Sequence, residues 1–334
     1  MKIENYYKKF KLLIVLLFLF FPFSFFFCVP STHAQTVNLS ITPPLIELMI
    51  KPGKSILVAY TVVNQGDPVI LSPQVSSFVP QGQTGNIRLV NELLGPVRFN
   101  LENADITLAK SVFLKTGDKQ QFLLKMRVPD NAPEGDYYYT FFVKTDPGPL
   151  FTGQNISKST ATVGSNILVT VSATGRVEAK GAIAHFDLED SAKFKLFGRK
   201  YNIIESTSVL PIKMIVQNNG SNLIKPDGEI ILRGPLGVLS RHKITPVNIL
   251  TQSSRLVPAT PSAQVKTPSS FALKGFFIGE HKLGTTITFG PGSSPVYASA
   301  SFIAIPIKLI SVLVVSLAVT FAIIVRMRAR QKES

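Results

Sequence analysis

Ala59-Tyr60-Thr61-Val62-Val63-Asn64-Gln65-Gly66 reads as a β-strand running into an Asn-x-Gly turn, and the same grammar returns at Lys213-Met214-Ile215-Val216-Gln217-Asn218-Asn219-Gly220. β-Branched and aromatic residues suit a pleated, half-buried surface. Asn can bond its own backbone in the turn, and Gly accepts φ > 0 without steric cost. A second pair of matches follows in the same order: Pro133-Glu134-Gly135-Asp136 and Ile278-Gly279-Glu280-His281 each lead into a strand near the end of their half. Two matches in one order read as a single module duplicated.

Between the two ends of the chain there is almost no helical periodicity. Short runs rich in Val, Ile, Phe and Tyr alternate with Pro, Gly, Asn and Asp clusters, the pattern of an all-β sandwich. In the first half the strand candidates are residues 45–50, 56–63, 69–78, 106–114, 121–128, 137–143 and 166–171. In the second they are 208–216, 229–232, 244–250, 270–277 and 285–289. Residues 137–143 (YYYTFFV) are apolar on both faces, as a central strand should be. The expected fold is all-β, two tandem Ig-like β-sandwiches at 35–175 and 176–305. Residues 255–269, rich in Pro, Ser, Thr and Gln, read as an exposed loop.

The two ends point to a membrane. Lys2, Lys8, Lys9 and Lys11 precede a Leu/Phe-rich core over 12–27, and Thr32-His33-Ala34 offers small residues at −3 and −1, so residues 1–34 read as a signal peptide cut before Gln35. An uncleaved anchor is the alternative; Pro22 and Pro30 speak against it. At the other end residues 309–325 carry no charge, near the lower length limit for a spanning helix. Arg326, Arg328, Arg330 and Lys332 follow at once, so by the positive-inside rule the tail at 326–334 is cytoplasmic and the ectodomain lies outside. The expectation is a single-pass cell-membrane protein with its transmembrane helix at 306–325.

The formal charge of +15 comes from 35 basic and 20 acidic residues, and nine of the basic and two of the acidic ones lie in the two end segments. The ectodomain keeps 26 basic and 18 acidic side chains, a balance of about +8, which favours anionic partners such as teichoic acids, acidic glycans or lipid head groups. No nucleic-acid partner is expected, because the basic residues are scattered and no recognised motif accompanies them.

Chemistry-bearing residues are scarce. One Cys, four His and no Trp leave no disulfide framework, Cys-rich zinc site or thiol nucleophile. There is no G-x-S-x-G elbow, and the Gly-Pro segments at 234–237 and 290–292 lack the register of a phosphate loop. His242 and His281 sit in locally polar segments and read as surface residues. One metal candidate stands out: His185, Asp187 and Glu189 would share one face of a strand, since side chains alternate with period two. The competing reading, a solvated face over buried Phe186 and Leu188, is the stronger. Tyr137, Tyr138 and Tyr139 are the candidate binding surface, because aromatics stack on sugars and anchor interfaces. Against that, a central strand would bury two of the three. No catalytic residues and no cofactor are expected.

The order of signal peptide, two sandwiches, single C-terminal helix and basic tail resembles the WxL-interacting proteins of Gram-positive bacterial surfaces. The local residues are Ile41-Thr42-Pro43-Pro44 with the following IELMIKPG at 46–53 and Val62-Val63-Asn64, the closing strand SNILVTV at 165–171, and Val216 to Gly220 followed by Lys225-Pro226-Asp227-Gly228-Glu229-Ile230. What the resemblance implies is a non-enzymatic scaffold, with the first domain on peptidoglycan or a cell-wall protein and the second on a host or matrix ligand. The functional expectation is therefore a membrane-anchored extracellular binding protein whose partner is a cell-wall polymer or a surface protein. Its alternative is a pilus-chaperone-like protein acting by strand donation. The single anchor helix argues against that alternative, since such chaperones are soluble.

Overall fold

The computed structural model describes residues 36–146, 160–189, 191–196, 199–265, 267–290 and 292–333. The expected signal peptide, Cys28 included, lies outside the described residues. The chain is mostly β, with sandwich-like packing of sheets.

The first unit holds β1 (Leu39–Thr42), β2 (Leu45–Ile50), β3 (Ser55–Asn64), β4 (Val69–Gln81), β5 (Asn86–Val90), β6 (Arg98–Leu101), β7 (Val112–Leu114), β8 (Lys119–Arg127), β9 (Gly135–Asp146) and β10 (Thr162–Val171). One sheet has the order β1-β3-β8-β6, the other β2-β10-β9-β4-β5 with β7 also beside β4. Side-chain alternation explains how they pack. In β8, Phe122, Leu124 and Met126 are buried while Lys119, Gln121 and Arg127 face water. Their core partners include Tyr60 and Val62 from β3 and, from the opposite sheet, Tyr139, Phe141, Val143, Ile167 and Val169. Each such side chain fully buried contributes about 1.5–3 kcal/mol. The chain changes sheets between β1 and β2 at Pro43-Pro44, which have no amide hydrogen to continue the ladder.

The second unit holds β11 (Gly181–Leu188), β12 (Ala192–Leu196), β13 (Arg199–Glu205), β14 (Leu210–Asn218), β15 (Asp227–Gly234), β16 (Gly237–Ile244), β17 (Ser254–Leu256), β18 (Ala259–Thr260), β19 (Phe271–Leu273), β20 (Gly279–Thr288) and β21 (Val296–Ile305). Its sheets run β11-β14-β17, with β19 also on β14, and β12-β13-β21-β20-β15-β16-β18. The layout repeats that of the first unit. The path β13-β21-β20-β15-β16 matches β2-β10-β9-β4-β5, and in both the last strand of the unit pairs in parallel with an early one.

The repeated Asn-x-Gly motif sits at equivalent places. Leu39 of β1 is opposite Asn64, and Gly181 of β11 is opposite Asn218. Both Asn side chains are fully buried. Their Oδ1 atoms accept from the N–H of Gly66 at 3.0 Å and of Gly220 at 2.9 Å. Asn64 Nδ2 donates to the carbonyls of Asp67 at 2.8 Å and Lys115 at 3.2 Å, satisfying loop oxygens that no strand reaches. Gly135 and Gly279, from the second pair of matches, open the equivalent strands β9 and β20.

Several local expectations change. Of residues 106–114 only Val112–Leu114 is strand, because Thr107–Lys110 close a turn, the Lys110 N–H donating to Thr107 O at 3.2 Å with Ala109 at φ +65°. Residues 245–250 join a strand-like partner only at the Ile224–Ile249 bridge, the true strand being β16 just before them. The stretch 255–269 is not simply an exposed loop. It contributes to β17 and β18, and Val257 is fully buried. Residues 296–305, which are not among the expected strands, form β21 in the middle of its sheet. His242 and His281 are buried, not superficial: in β20 His281 shares the inward phase with Leu283 and Ile287, and in β16 His242 shares it with Ile244.

One helix, α1 (Ile307–Glu333), follows β21 after the single residue Pro306. Its segment Ile307–Arg328, 22 residues of mean hydropathy 2.6, is long and apolar enough to cross a membrane, and none of it is covered by the rest of the chain. At 1.5 Å per residue it measures about 33 Å, against a hydrocarbon core of about 30 Å.

Candidate functional site

The two units meet where the outer face of the β2-β10-β9-β4-β5 sheet receives two loops of the second unit, residues 219–226 and 245–253. Asn218 shapes both loops. Its Nδ2 donates to Asn222 O and to Ile249 O, each at 2.9 Å, clipping one loop to the other. The clipped loops present Leu223 and Leu250 to Phe78, Ile87, Tyr138 and Leu168, an apolar patch separate from both cores.

Polar contacts ring that patch. Asp136 accepts from Asn222 Nδ2 at 3.0 Å and from the Leu223 N–H. Tyr138 OH accepts from the Thr251 N–H at 2.9 Å. Glu47 accepts from Lys225 Nζ at 2.5 Å and from Asn248 Nδ2 at 2.6 Å. Partial burial pushes the Glu47 carboxyl up, but those two hydrogen bonds and the Lys225 charge outweigh it and hold the group below its usual range. Beyond the ring, the Leu256 N–H on the edge of β17 donates to Gln83 O in the β4–β5 turn at 2.7 Å.

Beside these contacts lies a cleft of about 200 Å³. Leu45, Phe78, Ile87 and Leu168 line it from the first unit, and Leu250 and Arg255 from the second. Arg255 is half-buried, and its Nη1 donates to Asn248 O at 2.6 Å. Among the described residues no carboxylate lies within 4.0 Å of its guanidinium. Burial pushes its pKa down, yet a guanidinium keeps its charge in proteins. Gly85 makes room for it: the backbone there has φ +86°, and a Cβ would stand 2.4 Å from Arg255 Nη2. A half-buried guanidinium in such a cleft can take a carboxylate in bidentate fashion.

The residues expected from the sequence lie elsewhere or act differently. Tyr139 is fully buried in the first core, its OH donating to Leu94 O at 2.7 Å and its ring edge-on to Phe99. Tyr138 is sealed into the contact between the units, where it stacks on Phe78. Tyr137 is half-buried, covers Gly95 and donates to Pro133 O at 3.0 Å. The three rings therefore offer no shared open face for a sugar. On β11, His185 is exposed. Asp187 accepts from Asn202 Nδ2 at 2.8 Å and pairs with Lys193 at 3.2 Å, while Glu189 pairs with Lys213 at 2.9 Å. Among the described residues no group of three His, Cys, Asp or Glu side chains is placed to hold a metal ion, so His185, Asp187 and Glu189 do not form the expected ligand set; lysines hold the two carboxylates instead. Arg255 was missed because nothing in Ser253-Ser254-Arg255-Leu256 marks it; its partners lie across the chain.

No family model and no curated protein matches the chain. Among solved structures it is similar to the YadV chaperone (11% identity, 79% of this chain and 100% of that one, TM-score 0.35). It is similar also to the E. coli chaperone DraB (13%, 80% and 98%, TM-score 0.35). A third is the Salmonella enterica SafA pilin complex with the SafB chaperone (10%, 80% and 98%, TM-score 0.35). At such identities and scores the likeness establishes neither a common fold nor a common activity.

Proposed function

We propose that this chain is a membrane-anchored, non-enzymatic binding protein of the cell surface, two tandem Ig-like sandwiches held outside by α1 with the Arg-rich tail in the cytoplasm. Its partner is a surface protein, of which an extended segment enters the cleft between the units and brings an acidic side chain or a chain-terminal carboxylate to Arg255. The observation that carries this is the half-buried guanidinium that has no counter-ion among the described residues, in a cleft of mixed apolar and amide or hydroxyl lining. The repeated sheet order supports the tandem-sandwich reading, and the basic stop after the apolar helix supports the orientation. A role like that of the WxL-interacting proteins fits the same layout. The alternative, a pilus-chaperone-like protein, draws support from the same two-unit arrangement; it would differ in offering a strand of its own to an immature subunit.

The test is a photo-crosslinking residue in place of Ile87 on the cleft wall, in the full-length chain on intact cells. A polypeptide adduct is expected, and Arg255→Ala should abolish it while Arg255→Lys restores part. Loss of a charge-assisted hydrogen bond of about 1.5–3 kcal/mol corresponds to about tenfold to a hundredfold in affinity. Equal sedimentation of wild type and Arg255→Ala with protein-stripped sacculi, without an adduct, would replace the protein partner by a wall polymer. An adduct confined to newly exported pilin-like subunits, with suppression of their aggregation, would select the chaperone reading.

A further inference from the structure

The second unit ends in a greasy rim on the side from which α1 departs. Strand pairing fixes which segments lie there. β21 ends at Ile305, and Ala304 is opposite Gly279, where β20 begins. Glu205, the end of β13, is beside Ile305, and the Ser206 N–H donates to Ile305 O at 3.1 Å. The Phe277 N–H donates to Ser206 O at 3.0 Å, so residues 274–278 join the same end. The β15–β16 turn closes it: Arg233 is opposite Lys282 of β20, and a Cβ on Gly279 would lie 3.7 Å from Pro235 Cγ.

Two of these segments expose apolar side chains. Leu236, at the tip of the Gly234-Pro235-Leu236-Gly237 turn, is 100% exposed, and Val238 and Leu239 beside it are about half exposed. Phe277 is buried against His281 and Phe302, and the alternation turns its neighbours Phe276 and Ile278 outward, at 54% and 55%. A lone exposed leucine carries no information, but contiguous apolar side chains on one end of a unit do. A turn tip is ordinarily polar, and this one has Leu where water would favour Asn, Asp or Ser. Arg233, Lys274 and Lys282 are exposed around the rim and Lys308 lies in the first turn of α1, against the acidic Glu205 and Glu280.

We infer that this rim is seated in the lipid interface: Leu236, Phe276 and Ile278 enter the boundary between head groups and acyl chains of the bilayer that α1 spans, and the surrounding lysines and Arg233 meet anionic head groups. The inference rests on the anchoring reading above. Proximity commits it to lipid, because Pro306 alone separates the rim's strand β21 from the helix, leaving no room for a solvent layer of stalk length. Apolar burial together with attraction to anionic lipid is the usual basis of interfacial binding.

The chain contains no Trp, so a single introduced Trp reports alone. Full-length Leu236→Trp, Phe276→Trp, Val319→Trp and Leu89→Trp are reconstituted separately in phosphatidylcholine/phosphatidylglycerol vesicles carrying bromine near the top or near the end of the acyl chains. Trp at 236 and at 276 should show blue-shifted emission, quenched more by shallow bromine than by deep. Trp at 319, in mid-helix, should be quenched more by deep bromine, and Trp at 89, in the first unit, by neither. Quenching at 319 with none at 236 or 276 overturns the rim proposal and leaves the anchor standing. A blue shift at 236 without quenching means protein, for example a second copy, covers the rim, and likewise overturns it. No quenching at 319 removes the anchor and the proposal with it.

Discussion

Asn64 and Asn218 occupy equivalent positions in the two units, yet their loss should have different reach. Each is fully buried and answers one glycine N–H and at least two loop carbonyls. Unpaired buried groups cost about 1–3 kcal/mol each, so Asn→Ala at either site should destabilise its unit by about 2–4 kcal/mol in urea unfolding. Only Asn218 shapes the loops that touch the first unit. Asn218→Ala should therefore also speed hydrogen exchange at the Leu223 and Thr251 amides, which are bonded to Asp136 and Tyr138. Unchanged exchange at those amides would separate the motif from the cleft. Glu47 makes a pH-dependent contribution to the same contact. Its folded pKa lies below the usual 4.5, so the fold favours the carboxylate. That stability is complete above about 4.5, the unfolded value, and is lost as pH falls through the folded one. Thermal midpoints between pH 7 and pH 3 should fall less steeply in Glu47→Gln than in wild type; parallel curves would remove Glu47 from the account.

At the level of strands, β21 is the sharpest departure from the expected strand set, and it is directly testable. Phe302 is 1% exposed and stacks on His281 with ring centroids 5.1 Å apart. Phe302→Ala should cost about 3–5 kcal/mol in the stability of the second unit, as loss of a core aromatic does, measured by denaturant unfolding. A substitution in a linker would leave the midpoint unmoved. Strands were legible where one face is buried and the alternation is clean. The same alternation in H-x-L-x-T-x-I at 281–287 placed His281 inward, but local polarity hid it, because strand phase rather than neighbours decides burial. β21 was obscured by Ala and Ser between its apolar residues, and β12 and β13 by their Lys, Arg and Asn. The duplication could be read from Asn64 and Asn218, since that motif is local. The cleft could not: Gly85 and Arg255 lie 170 positions apart, and only the docking of one unit on the other brings them together.

For the molecule as a whole, the decisive feature is the stiffness of its mounting. β21 passes into α1 through Pro306, whose carbonyl accepts from the Ile310 N–H at 2.9 Å. Lys308 in the first helical turn lies 3.7 Å from Glu205 and 3.5 Å from Thr207, tying the helix to the end of β13. The contact with the first unit lies at the opposite end of the second, since β14 runs from Leu210 beside β19 to Asn218 beside the clipped loops. The cleft is thereby held one sandwich length above the helix. A Gly/Ser insert of ten residues after Pro306 would replace this joint by a coil with a root-mean-square span of about 16–19 Å. With Leu236→Ser, Phe276→Ser and Ile278→Ser in both proteins, so that the rim does not hold the unit to the lipid, energy transfer from a dye on Leu89→Cys to an acceptor lipid should give a narrow distance distribution with the native joint and a broad one in the insert. In the same two proteins the affinity of the cleft for its partner in detergent should be equal, because the insert touches no residue that forms it. Broadening without loss of affinity is the signature of a rigid pedestal. An unchanged distribution would mean that contacts with the bilayer, rather than the joint at Pro306, hold the second unit upright.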